Sequence, residues 1–511
     1  MQQRVAGGRA NLIDTFIYRA ALAMVALALA AAASAGDADL EAALQKVLAP
    51  GDRLGTTTAV RVVDAESGEV LASSRLASVP FIPASNMKLV TTAVILDRLG
   101  PDAELRTRLL RVNDDELVIL AGGDPGLGDP PLSGDEGAMG VLRRWAAAVK
   151  EAGITEVSRI TVVDPMFDAA TVHRQWGQAN ILYWYGAPVA GVAFNDNCID
   201  FIATPTELGQ LAVLQTIPPV RGFVVRHEAS TSPADDHGWD MRKARGELTY
   251  TSRGAIGRKA GPWSLPHDDP ARLLGHALAS ALEQVDIAAP AQVGSLTGEA
   301  ADKAAAEALK TGEVIAEHAT PLVDVLGRVN TNSQNMMAEA ICKLAAVSDE
   351  RLADVFEGPR GTWRGGNRAA VAFLDAIDID TAGFVASDGS GLSDRNRISA
   401  EQLTDLLRHM LVEHEHAEAY KDSMAISGTR GSVRRRMNEL KGQVYAKTGT
   451  INGVSALSGC LDLEDGRRLI FSVLHNGHEG SAGPLRRIQD NAVLAIHAWA
   501  TGGDEPTVTQ E

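Results

Sequence analysis

The stretch Pro83-Ala84-Ser85-Asn86-Met87-Lys88-Leu89 runs into an apolar segment that ends at Leu99 and is stopped by Gly100. The pattern predicts a helix with a glycine C-cap, with Ser85 at or just inside its N-terminus. On a helix, positions i and i+3 share a face, so Lys88 reaches Ser85. A serine hydroxyl is a weak nucleophile until a base takes its proton. A lysine held near other cations and away from water has a lowered pKa and can be that base. Exposed N–H groups at the helix start favour negative charge developing on a reacting oxygen. Taken alone, Ser85 also fits a plain helix N-cap with Lys88 solvated.

Two later motifs change that balance. Ser333-Gln334-Asn335 lies 248 positions after Ser85, and Lys447-Thr448-Gly449 lies 114 positions after Ser333. Ser333 supplies a hydroxyl that can relay a proton to a leaving amine, and Asn335 an amide for a peptide group of a substrate. Lys447, on a predicted strand, supplies positive charge that would favour a free carboxylate and help keep Lys88 neutral. Thr448 and Thr450 add hydroxyls for that carboxylate. An N–H of Thr450 at a sheet edge, with that of Ser85, would make an oxyanion hole. Ser333 also fits a helix N-cap and Lys447 an edge-strand lysine. A second triplet, Lys310-Thr311-Gly312, ends a predicted helix and reads as a C-cap turn. By contrast, Ser85 begins the only Ser-x-x-Lys in the chain and Ser333 the only Ser-x-Asn.

Working outward, residues 57–63 and 70–74 read as a hairpin around a turn-forming stretch at 64–68. Residues 444–447, 454–462 and 468–475 read as three successive strands leading into a helix over 485–501. The simplest arrangement is an antiparallel sheet with the terminal helix packed on it, completed by the early hairpin from the other end of the chain. Between these parts lie short strands (105–112, 117–121, 160–164), helices (141–152, 271–284) and a polar, weakly periodic stretch at 222–266. The middle therefore reads as inserted domain material.

A chain of 511 residues is too long for one ordinary core. Its formal net charge of −17 argues against non-specific nucleic-acid binding. Arg4, Arg9 and Arg19 precede an apolar run from Ala20 to Ala33 and the small-x-small pattern Ala33-Ser34-Ala35. That reads as a signal peptide over residues 1–35, with export and a periplasmic location; about 14 apolar residues fall short of the ~20 of a spanning helix. Any membrane association of the mature chain is expected to be peripheral at most. Cys198, Cys342 and Cys460 have no metal spacing; they read as buried small hydrophobes, with one bridged pair left open. His475 and His478 lie at a predicted strand end, where a loop role outweighs metal ligation, since no third ligand is placed. No metal site and no cofactor is expected. Trp176, Tyr183, Trp184 and Tyr185 cluster in the insertion, where packing or a sugar- or peptide-contacting surface are both open.

The three motifs in this order are those of penicillin-binding proteins and class A β-lactamases. The chain more closely resembles the class C low-molecular-mass penicillin-binding proteins, the D-alanyl-D-alanine carboxypeptidase/endopeptidase family. The resemblance spans roughly 40–500 and is carried by 83–89 (PASNMKL), 122–125 (GGDP), 185–189 (YGAPV), 195–200 (NDNCID), 388–393 (DGSGLS) and 446–453 (AKTGTING). One departure is Asp394, where the family often looks basic; Arg395 follows it. The resemblance implies an α+β fold: a penicillin-recognising, serine transpeptidase/β-lactamase-like domain, its antiparallel sheet flanked by helices, carrying two nested inserted domains. The implied division is 37–103 with 310–502 for the catalytic domain, 104–165 with 286–309 for the first insertion and 166–285 for the second. It also implies Ser85 as acyl-ester nucleophile, Lys88 as proton acceptor and Ser333 as second active-site serine, with Asn335, Lys447, Thr448, Gly449 and Thr450 binding substrate. The implied partners are peptidoglycan stem peptides, with β-lactam antibiotics as covalent inhibitors. Carboxypeptidase and endopeptidase action both remain open, as do two rivals, a β-lactamase and a non-catalytic wall-binding protein.

Overall fold

A computed structural model describes residues 37–244 and 246–503. The signal-peptide reading of 1–35 lies outside the described residues. Six antiparallel strands form the main sheet, in the order Ala425–Ile426, Val444–Ile451, Val454–Asp462, Arg468–Asn476, Thr57–Asp64, Val70–Ser73. The two ends of the chain meet at its centre, with Thr57 opposite Asn476 and Asp64 opposite Leu469. Helices Ala38–Arg53 and Gly483–Thr501 cover one face, where Leu44, Val62, Leu457, Phe471 and Ile496 are buried together.

The other face carries the nucleophile segment. Ala84–Asn86 form a single 3₁₀ turn that runs into helix Met87–Leu99. Every residue from Met87 to Leu96 is buried, which is why the segment reads as apolar all round rather than on one stripe. Leu89, Val90, Ile95 and Leu96 are fully buried, each adding roughly 1.5–3 kcal/mol of apolar burial. Helices Leu322–Thr331, Asn335–Leu344 and Ala400–Arg408 share this core.

A five-stranded mixed sheet forms a second layer, ordered Val293–Thr297, Arg159–Asp164, Glu116–Ala121, Glu104–Arg111, Glu313–Pro321. Its parallel pairs are crossed by helices Gly140–Glu151 and Pro270–Glu283, which bury Trp145, Leu274 and Leu278 against Leu109 and Ile119. The last strand departs from the sequence reading, which returned the chain to the catalytic domain at 310. Glu313–Pro321 pairs along its length with Glu104–Arg111, covering an edge that would otherwise stand open. On this pairing we propose that the catalytic domain resumes at Leu322.

The stretch 222–266 is not irregular. It holds Val224–His227, Asp240–Lys243, Thr249–Arg253 and Ala260–Pro266, arranged in small sheets with Cys198–Thr204 and Val213–Ile217. The strands within 222–266 are four to seven residues long and partly exposed, so polar side chains mask their alternation. Among the described residues no helix is long and apolar enough to cross a membrane.

Candidate active site

Lys88 is fully buried, and its Nζ donates to Ser85 Oγ at 3.1 Å, Asn335 Oδ1 at 2.7 Å and the Ser390 carbonyl at 2.7 Å. A second amine–hydroxyl pair lies beside the first. Lys447 is also fully buried, and its Nζ donates to Ser333 Oγ at 2.9 Å and to the Thr448 carbonyl at 2.9 Å. Segments 248 and 362 positions from Ser85 thus converge on it. Asn335 begins helix Asn335–Leu344, and its Nδ2 donates to the Tyr185 carbonyl at 2.8 Å. Thr448 Oγ1 donates to Ser432 Oγ at 2.9 Å, and Arg486 Nη2 lies 3.4 Å from Thr450 Oγ1. Ser85 and Ser333 are half-buried and Thr450 is exposed, so the hydroxyls face an accessible cleft.

The local backbone explains how these groups are presented. Ala84 and Ser333 sit at positive φ, 47° and 62°, a region that costs a non-glycine residue about 1–3 kcal/mol. Asn86 Nδ2 donates to Ser458 Oγ at 2.7 Å and pins the nucleophile turn to the sheet. Two glycines let other segments close on that turn. A Cβ on Gly449 would lie 2.7 Å from the Pro83 carbonyl oxygen and 3.0 Å from the Ser85 nitrogen. Gly449 therefore allows the strand edge to reach Ser85. On that edge the neighbouring strand covers only Tyr445 and Ala446, leaving Lys447–Ile451 without a strand partner on one side. Gly391, at φ +81°, lies against the Ala84 carbonyl, where a Cβ would come within 1.8 Å of the oxygen. Gly391→Ala should destabilise the fold by about 2–4 kcal/mol and slow acylation at least tenfold, readable by thermal denaturation and penicillin-labelling kinetics.

Burial pushes the Lys88 amine down to about 7, partly offset by the carboxylates of Glu339 and Asp388, which favour its charged form. Of the two causes the sequence reading named, removal from water and nearby cations, desolvation dominates. Lys447 itself is pushed well below its ordinary value by burial and then by the Lys88 ammonium. Glu339 is completely buried and raised to about 7 by burial and then by Asp388. It accepts from the N–H groups of Gly389 (2.9 Å) and Ser390 (2.8 Å) and from Trp363 Nε1 (2.7 Å). Asp388 accepts from Trp176 Nε1, from the N–H groups of Gly391 and Ser393, and from Asn396 Nδ2. The carboxylates thus hold the loop whose Ser390 carbonyl meets Lys88. Sequence reasoning missed Glu339, Ser390, Ser432 and Arg486; DGSGLS signalled the loop but not its contact with the amine.

The remaining candidates separate. Trp176 is buried in packing against Trp363, whereas Tyr183 and Trp184 are exposed. His475 is buried on a strand, its Nδ1 within 2.8 Å of Thr58 Oγ1, rather than in a loop. All three cysteines are buried and free. Asp394 and Arg395 are both exposed. Among the described residues no group of three or more His, Cys, Asp or Glu could hold a metal ion. The triplet Lys310-Thr311-Gly312 ends helix Gly298–Thr311, far from this chemistry in role.

The chain is 30% identical over 472 residues to a D-alanyl-D-alanine carboxypeptidase of an Actinomadura species, covering 87% of this chain and 82% of that protein. It is 28% identical over 469 residues to Carboxypeptidase DacB of Mycolicibacterium smegmatis, covering 89% and 83%. Penicillin binding protein 4 (dacB) from Haemophilus influenzae has the same fold, with a TM-score of 0.68 at 19% identity over 88% of this chain and 99% of that one. With the profile of one family matching from residue 40 to residue 496, the chain belongs to the D-Ala-D-Ala carboxypeptidase 3 (S13) family.

Proposed function

We propose that this protein is a serine-type D-Ala-D-Ala carboxypeptidase that also opens peptidoglycan cross-links, working through an acyl-enzyme on Ser85. The observation that carries the reading is the amine–hydroxyl pair Lys88–Ser85, 3.1 Å apart, beside the pair Lys447–Ser333, 2.9 Å apart. Ser85 Oγ attacks the carbonyl carbon of the penultimate D-Ala while neutral Lys88 takes its proton. The tetrahedral oxyanion forms in front of the N–H groups of Ser85 and Thr450. The Ser333 hydroxyl, held by Lys447, passes a proton to the leaving amine. Releasing a terminal D-Ala is carboxypeptidase action; releasing the amine of a neighbouring stem peptide is endopeptidase action. Water then attacks the ester with the same groups acting in reverse.

Lys447, Thr448 and Thr450 take the substrate's free carboxylate, which on arrival favours the protonated form of Lys447. A β-lactam follows the first half of this path. Its ester is expected to be long-lived because the amine freed by ring opening stays tethered to the acyl group, in the place that a peptide's leaving amine vacates for water. The substrate places the enzyme outside the cytoplasmic membrane, in the periplasm.

The test is incubation with benzylpenicillin followed by mass spectrometry, together with assays for D-Ala release and for cleavage of a cross-linked muropeptide dimer. A single adduct on Ser85 and release of D-Ala are expected; rapid turnover of a chromogenic cephalosporin would favour a β-lactamase instead. The rate should also depend on pH. The base works only when neutral, and its folded pKa is about 7. Below that value Lys88 is an ammonium, so kcat/KM should fall about tenfold per pH unit and level off above it. Initial rates from pH 5 to 9 check this. An ascending limb near pH 4–5, with none near 7, would point to a carboxylate base.

A further inference from the structure

The second insertion, whose role the peptidase chemistry leaves unexplained, carries a groove of about 590 Å³ lined by Tyr183, Trp184, His237, Trp239, Pro262 and Trp263. We infer that this groove binds the glycan strand to which the stem peptide is attached, an inference that rests on the peptidoglycan reading above.

Tyr183 and Trp184 are 47% and 44% exposed, unusual for rings of this size. They are held in place rather than loose: Tyr183 stacks on Tyr185 with centroids 5.5 Å apart, and Trp184 meets Tyr185 edge-on at 5.9 Å. Trp263, half-buried in the same lining, packs edge-on at 5.6 Å against the buried Trp239. The groove therefore offers flat, rigid apolar faces at low entropic cost.

Charge selects the ligand. The lining contains no carboxylate, ammonium or guanidinium, so charged groups of a free stem peptide would be left unpaired there. A glycan of amidated sugars is uncharged along its backbone, and its pyranose rings present apolar C–H faces with hydroxyls at the edges. Tyr183, in the same lining and exposed, also carries a phenolic hydroxyl to pair with such a hydroxyl or acetamido group. Position agrees with chemistry. The residue after Trp184 is Tyr185, whose carbonyl accepts from Asn335 Nδ2 at 2.8 Å, so the groove adjoins the cleft that would hold the peptide.

The test uses one stem peptide in two forms, free and attached to a glycan strand. Trp184→Ala should lower kcat/KM on the glycan-borne form about 3- to 10-fold through KM, leaving the free peptide and benzylpenicillin acylation unchanged. Trp184→Phe should restore most of the loss. Binding of an uncharged N-acetylglucosamine oligosaccharide to Ser85→Ala, followed by tryptophan fluorescence, should weaken by the same factor when Trp184→Ala is added. An equal loss on both forms would make Trp184 a packing residue of the cleft, and no loss on the glycan-borne form would remove the groove from recognition. Absence of any penicillin adduct in the parent protein would strike the peptidase reading instead, while glycan binding to Ser85→Ala would still be read directly.

Discussion

Ser85→Ala is expected to give no benzylpenicillin adduct and to slow hydrolysis of a D-alanyl-D-alanine peptide by roughly 10⁴–10⁶-fold. The effect is this large because a covalent route is removed rather than weakened. Ser85 Oγ is the one hydroxyl that receives the Lys88 amine, at 3.1 Å. Without it, only the oxyanion donors and the carboxylate contacts remain. Stability should hardly change, by less than about 1 kcal/mol. The Ser85 side chain caps no helix N–H, and its turn is held instead by Asn86 on Ser458 and by Gly391 on the Ala84 carbonyl. Mass spectrometry and calorimetry on one preparation check both halves. Gross unfolding would make Ser85 a structural residue, and an adduct on another side chain would move the nucleophile elsewhere.

Lys88→Met is expected to slow acylation by roughly 10³–10⁴-fold, the share usually carried by a positioned base. Methionine fills much of the volume of the buried stem but takes no proton. It also leaves Asn335 Oδ1 and the Ser390 carbonyl without their donor, costing about 1–3 kcal/mol of stability. Lys88→Arg separates base from charge. It keeps a cation beside Glu339 and Asp388, yet a guanidinium does not lose its proton near neutral pH. Both variants should be slow to a similar degree in stopped-flow acylation, while near-normal rates for Lys88→Arg would reduce Lys88 to an electrostatic prop.

Much of the site was legible because its chemistry is written in short local patterns. Ser85 and Lys88 share one helical turn, and Lys447 lies on a strand whose alternation is plain. Glu339 shows where legibility stops. On helix Asn335–Leu344 it reads as a solvated carboxylate, yet it is wholly buried beneath the 388–391 loop. Lys343 on the same helix reads as a surface lysine and is also buried, over the rings of Phe167 and Trp363. The proposed shift of the return to the catalytic domain, from 310 to Leu322, has a related reason. Glu313–Pro321 becomes a strand of the second sheet only because Glu104–Arg111 offers it an edge, a pairing about 200 positions away.

By itself, then, the sequence singled out the side chains proposed to do the chemistry, placed Ser85 at the start of a helix, and brought the two ends of the chain into one sheet. Side-chain type and spacing are local, and local order reads from them directly. Only the tertiary structure brought the Lys88 amine down to about 7, because desolvation is a property of what surrounds an amine. Its surroundings are Asn335, Ser390 and two buried carboxylates contributed from positions about 250–300 residues away.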